Sequence, residues 1–235
     1  MGDNTPDYQL GNKAKATIGT TRIKGLNSLT IPGIERNTVD VEEFEQDFDF
    51  TVPTSAKWTE GSMAGNYVRK DTTGQRALRT KLFDNEGLAN LRLYEDEDDF
   101  WAPDLANNED SVIFVKSIPG PEITKSGLTA FSATLLVQGL LALFTAHNEG
   151  GTNLAFVAGT GSGDTITDSE SGFIAAGFEV GQTVLIEGSS SNDTVAALVT
   201  NVEAGTLTLS TDTSTDGLLT AEVGVAATVI HGGAL

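Results

Sequence analysis

Carboxylates dominate the chemistry this sequence could perform. Glu43, Glu45, Asp47 and Asp49 recur at every second position within TVDVEEFEQDFDFTV (residues 38–52), and Glu95-Asp96-Glu97-Asp98-Asp99 forms an unbroken acidic cluster. Such groups can serve as paired acid and base in glycoside hydrolysis, or as oxygen ligands for a hard cation such as Ca²⁺. The cluster at 95–99 lacks the spaced ligands and central glycine of an EF-hand, so it reads as a solvated loop and no metal site is expected. Alternating carboxylates arise by chance in so acidic a chain, and counting alone leaves a glycosidase pair open.

Other chemistries have less to work with. The absence of cysteine excludes disulfides and thiolate metal sites, and His147 and His231 are the only histidines. Neither has the neighbours of a catalytic triad, and there is no Gly-x-Ser-x-Gly. Gly159-Thr160-Gly161-Ser162-Gly163-Asp164 is phosphate-loop-like only in its glycines. It departs from G-x-G-x-x-G and has no Gly-Lys-Ser/Thr, so a turn is expected. Trp58, Tyr94 and Trp101 could line a sugar platform, though core or interface packing is the commoner fate of such side chains. The chain is therefore read as a non-enzyme with no catalytic residues, no cofactor and no metal.

Charge narrows the partners. The 235 residues carry 14 Lys and Arg against 33 Asp and Glu, a net charge of −19. A groove that grips nucleic acid draws affinity from basic side chains, so specific DNA binding is not expected. The same charge is compatible with a surface that DNA passes without sticking. The polar start lacks the basic and apolar stretches of a signal peptide, and the longest apolar run, Leu135 to Phe144, is about half a membrane span. A soluble protein is expected. All 14 basic residues lie before residue 151, whereas residues 151–235 hold 10 acidic side chains and no Lys or Arg. Such a step suggests two modules, 1–150 and 151–235, joined near the polar stretch 147–153.

The elements that position these residues are mainly strands. In the second module, Thr183 to Glu187, Val195 to Val202, Thr206 to Ser210 and Ala221 to Val229 are β-prone runs separated by Gly, Ser, Asn and Asp, which predicts a small all-β sandwich or barrel. Glu203-Ala204-Gly205 reads as a hairpin connection. In the first module one helix is expected over Gln75 to Phe83, with Leu78, Leu82 and Phe83 inward, Arg76, Arg79 and Lys81 outward, and Gly87 as its stop. Strands are expected at Asn90 to Tyr94, at Val112 to Lys116 and in the apolar run Gly127 to Phe144, whose Leu128 to Val137 portion reads as covered on both faces.

Residues 38–52 read as one long strand. Val39 and Val41 occupy odd positions and Phe44, Phe48, Phe50 and Val52 even ones, so the alternation slips and predicts a β-bulge between Val41 and Phe44. Beyond it, four carboxylates share the face opposite the phenylalanines. Like charges in a row require water or cations around them, either on a solvated outer face or along an acidic channel.

The segment from Trp58 to Phe144 resembles the tail tube (major tail) protein family of siphoviruses. The likeness is carried by Trp58-Thr59-Glu60-Gly61-Ser62, Gly65-Asn66, the helix near Gly74, Leu91-Arg92-Leu93-Tyr94, Asp99-Phe100-Trp101-Ala102-Pro103-Asp104, Lys125-Ser126-Gly127, Ser132-Ala133-Thr134-Leu135 and Gly139. Residues 164–210 are similar to small β domains appended to virion proteins, through Gly172-Phe173, Gly177-Phe178-Glu179-Val180-Gly181 and Leu207-Thr208-Leu209-Ser210. The resemblance implies a tail-tube β-sandwich or barrel with one flanking helix, plus a small C-terminal β domain projecting outward. It implies stacked hexameric rings in a virion, assembled in the host cytoplasm. Its implied partners are the chain itself and the tape measure, tail terminator and distal tail proteins, with no membrane involved. Glu43, Glu45, Asp47 and Asp49 would then face the lumen. An adhesin or carbohydrate-binding β protein is the alternative.

Overall fold

The computed structural model of the chain describes residues 14–41, 50–96, 99–120, 129–145, 151–159, 163–193, 195–210 and 218–234. It is a mainly β protein. In chain order the first part contains β1 (Lys15–Ile18), β2 (Thr21–Arg22), β3 (Leu26–Thr30), β4 (Ile34–Val41), β5 (Phe50–Trp58), β6 (Gly61–Asn66), α1 (Gln75–Asp84), β7 (Leu91–Tyr94), β8 (Asp99–Pro103), β9 (Val112–Ser117), β10 (Ala130–Gln138) and β11 (Leu141–Thr145). The second part contains β12 (Gly151–Val157), β13 (Thr165–Asp168), β14 (Thr183–Glu187), β15 (Ala196–Glu203), β16 (Thr206–Leu209) and β17 (Glu222–Ala234).

The first part is a sandwich. Strands β2-β1-β7-β8-β11 form one layer and β3-β6-β10-β9 the other. Between them lie Ala16, Met63, Leu91, Leu93, Ile113, Phe131, Leu135 and Leu141. Period-two alternation sorts the side chains, as in β7, where Leu91 and Leu93 enter the core and Arg92 and Tyr94 take the opposite face. In β10, Phe131, Ala133 and Leu135 point inward while Ser132 and Leu136 are exposed. The strand is therefore covered on one face, not two as its composition suggested. Gly139, at φ +82°, ends it, and an added Cβ would lie 2.6 Å from Ser111 Oγ. The apolar run Gly127 to Phe144 is thus cut into two strands that belong to opposite layers.

Helix α1 is fastened at its start. Asp71, 2% exposed, accepts hydrogen bonds from the backbone N–H of Lys24, Gly74 and Gln75 at 3.0–3.1 Å. The Gln75 side chain donates to the carbonyls of Lys24 and Asn66 and accepts from Val68 N–H, so a buried amide has its partners. The helix ends at Asn85 in the left-handed region (φ 53°), not at the expected Gly87, and Asn85 N–H reaches Lys81 O. Gln75, Leu78 and Leu82 lie three and four residues apart on the packed side. Phe83, one residue beyond, is turned 85% into solvent, contrary to the inward placement the sequence suggested.

The second part is a closed antiparallel barrel of six strands, β12-β13-β16-β15-β14-β17, with β17 pairing back onto β12. Its interior holds Leu154, Phe156, Ile166, Phe173, Val184, Ile186, Val199, Leu207 and Val229. Closure removes free edges from this unit. The hairpin at 203–206 pairs Glu203 with Thr206 around Ala204-Gly205, close to the expected connection. Strand β17 runs five residues beyond its expected end at Val229. Thr228–Gly232 pairs with β14, and His231–Ala234 pairs with β11 of the sandwich. One strand of about 40 Å therefore belongs to both parts.

Residues 38–52 are not one strand. They fold back on themselves, with β4 and β5 antiparallel and Val41 opposite Phe50. The register irregularity in this ribbon lies between Arg36 and Thr38, and the bulge expected before Phe44 falls outside the described residues.

Candidate functional site

Two regions stand out for their polar side chains, one buried and one exposed. The first is the joint between sandwich and barrel, where the outer face of β7, β8 and β11 meets the outer face of β14. Phe100, Ala102, Ala142, Phe144 and Ile230 form a buried cluster there, joined by Tyr94 and Leu185. Phe100 stacks on Phe144 at 5.5 Å and contacts Tyr94 at 5.2 Å, and Lys15 Nζ sits 3.7 Å above the Tyr94 ring. Arg92, 6% exposed, lies over Phe100 at 4.8 Å and pairs with Glu187 of the barrel. Burial pulls the Arg92 pKa below its usual value, opposed by Tyr94 and Asp193.

Beside it, Asp104 is fully buried and accepts from Thr183 Oγ1 at 2.9 Å and from Asn107 Nδ2 at 2.7 Å. The Asp104–Thr183 and Arg92–Glu187 contacts cross 79 and 95 residues of sequence. A cavity of about 580 Å³ opens next to them, with Arg92, Pro103, Phe144, Leu185, Glu187 and Asp193 in its walls. Its cation already has a carboxylate partner, so the joint reads as a fastening between the two parts.

The second region is the β4–β5 ribbon. It pairs with neither layer of the sandwich, and residues 33–38 and 54–57 are exposed. Glu35 and Lys57 pair across it at 3.0 Å, Thr54 Oγ1 donates to Asn37 O, and Ile34 is 52% exposed. Its base is fixed where Trp58 Nε1 donates to Gly139 O at 2.9 Å. A two-stranded ribbon of eight and nine residues is at best marginal alone in water, and exposed pairs such as Glu35–Lys57 add under about 1 kcal/mol.

Glu43, Glu45, Asp47 and Asp49 lie in the connection between β4 and β5, outside the described residues. Glu97 and Asp98 are likewise outside the described residues; of the rest of their cluster, Glu95 and Asp96 follow β7, whereas Asp99 begins β8 and donates its N–H to Asp96 Oδ1. Among the described residues no group of three His, Cys, Asp or Glu is arranged to hold a metal ion. Trp58 and Trp101 pack against the sandwich core while Tyr94 occupies the opposite face, so the three do not form one sugar platform. Asp164 is a buried structural acceptor for the N–H groups of Gly159, Leu218 and Leu219. His231 packs against Phe178 at 4.6 Å within β17, and His147 lies outside the described residues. Sequence reasoning missed Arg92–Glu187 and Asp104–Thr183, for which no local pattern exists at such separations.

Among the described residues no helix is long and apolar enough to cross a membrane. No family model matches the chain, and no curated protein does. Solved structures do show similarity. A chain of the native gene transfer agent virion aligns over 58% of this chain and 98% of its own, at 17% identity and a TM-score of 0.44. A chain of the anti-feeding prophage cap, which terminates that tube, aligns over 62% and 97% at 14% identity and 0.42. A chain of the PVC sheath–tube complex, an extracellular contractile injection system in its extended state, aligns over 59% and 92% at 11% identity and 0.42.

Proposed function

We propose that this chain is a structural, non-catalytic virion subunit that assembles with copies of itself into stacked hexameric rings, forming the tube of a long non-contractile phage tail through which DNA leaves. The observation that carries the reading is the unsupported β4–β5 ribbon. It pairs with neither layer of the sandwich and its residues 33–38 and 54–57 are exposed, and such a ribbon gains stability by lying on another surface, which a repeating assembly supplies from the next copy. The resemblance of Trp58 to Phe144 to tail tube proteins points the same way.

On this reading residues 1–150 build the tube and residues 151–235 project outward. Glu43, Glu45, Asp47 and Asp49 face the channel, where negative potential keeps passing DNA from adhering. Tape measure, terminator and distal tail proteins are the further partners, and the assembled location is the virion.

Electron microscopy of the purified full-length protein tests this. Rings or tubes with a central hole are expected, with density for residues 42–49 lining the hole. A monodisperse monomer at high concentration overturns the assembly reading, and tubes with that segment on their outer wall overturn the channel assignment alone.

A further inference from the structure

The few basic side chains of this acidic chain are unevenly placed. Arg69, Lys70, Arg76, Arg79 and Lys81 are five of its 14, all on α1 or just before it. Lys81 pairs with Glu86 at the helix end. Arg76, Arg79, Thr80 and Phe83 follow one another at helical spacing on the side away from Leu78 and Leu82. Together with Tyr67 and Arg69 they line a groove of about 420 Å³, in which the Arg79 guanidinium lies 5.1 Å from the Tyr67 ring. The acid in this lining, Asp71, is turned inward onto three backbone N–H groups. Among the described residues none of Arg69, Arg76 and Arg79 has a carboxylate partner. The groove thus offers positive charge around an aromatic ring that is 85% exposed.

The barrel carries a surface of the opposite kind. Between β13 and β14, the loop at 171–181 sends Phe173, Ala176 and Phe178 into the barrel core. It leaves Ile174 60% and Val180 64% exposed, with Glu179 and the preceding Glu170 also in solvent. Two apolar side chains flanked by carboxylates, on a unit without a single Lys or Arg, complement an aromatic flanked by arginines.

We propose that the α1 groove of one copy receives the Ile174–Val180 loop of a second copy, with Phe83 packed against Ile174 and Val180 and with Arg76 and Arg79 facing Glu170 and Glu179. The inference rests on the self-assembly reading and names one contact within it. Copies that each carry −19 repel one another on average, so their association favours orientations in which the rare basic patch meets an acidic one. The two surfaces differ, so when the contact is not returned by the same neighbour it is head-to-tail and repeats from copy to copy into a ring or filament.

Charge exchange in the full-length protein tests it, read by sedimentation velocity and electron microscopy. Arg76→Glu with Arg79→Glu, and separately Glu170→Lys with Glu179→Lys, are each expected to lower the association constant at least about tenfold, while the monomer melts as the wild type does. The fourfold variant is expected to regain most of the association. Phe83→Ser provides a second, uncharged probe and is expected to weaken association in the same sense. Wild-type assembly with unchanged assembly of these variants, or a fourfold variant no better than its parents, overturns the contact and leaves the self-assembly reading standing. A wild type that does not assemble overturns both.

Discussion

At the scale of single residues, the polar groups of this molecule act as fasteners. Glu222, at the start of β17, accepts from the hydroxyls of Ser189 and Ser190 and from Asn192 Nδ2 at 2.7 Å. Those donors, Ser189 first, hold its pKa at about 2, below its ordinary 4.5. A depressed carboxylate stabilises the fold fully above its unfolded pKa and loses that contribution as pH falls through the folded one. The wild-type melting temperature is therefore expected to fall more steeply between pH 4.5 and about pH 2 than that of Glu222→Gln, as thermal melts across that window would show. Parallel curves would mean the carboxylate contributes nothing specific. None of this was legible in the sequence, where Ser189, Ser190 and Glu222 are just three polar residues up to 33 positions apart.

Among the elements, the β4–β5 ribbon separates folding from assembly most cleanly. Ile34 and Trp58 are cross-strand partners at its base, so residues 35–57 can be replaced by an Asn-Gly turn without stretching the chain. The shortened protein is expected to keep its sandwich and melt within a few degrees of the wild type while losing rings and tubes in electron micrographs. Retained tubes would remove the ribbon from the assembly. Helix α1 shows how far sequence reading reaches at this scale. Its existence and its Leu78–Leu82 face followed from helical period, but its end at Asn85 did not, because Gly87 was the more obvious stop. Gly87 is instead held close to the Val112 side chain, which an added Cβ would meet at 2.6 Å.

For the whole molecule, β17 is the decisive strand. It closes the barrel and also edges the sandwich, and Gly232 allows both: a Cβ there would lie 2.7 Å from Leu143 O and from the Phe144 ring. Gly232→Val is expected to split β17 from β11. Calorimetry should then resolve two unfolding transitions where the wild type has one, because a shared ladder and a shared apolar cluster couple the two cores. A single transition in both proteins would show that Arg92–Glu187 and Asp104–Thr183 suffice to join them.

The sequence by itself determined the β character, the helix over 75–83, the lack of thiol chemistry and the confinement of basic charge to the first 150 residues. These follow from composition and from side-chain period, which act over a few residues at a time. Only the tertiary structure decided that residues 38–52 turn back on themselves, that β10 is covered on one face, and that the last strand joins both parts. Backbone N–H and C=O groups are the same at every residue, so a strand's period reveals that it will pair but not with which distant strand. That choice was made by the packing of Phe100, Phe144 and Ile230 and by the clearance at Gly232, across separations that no local pattern records.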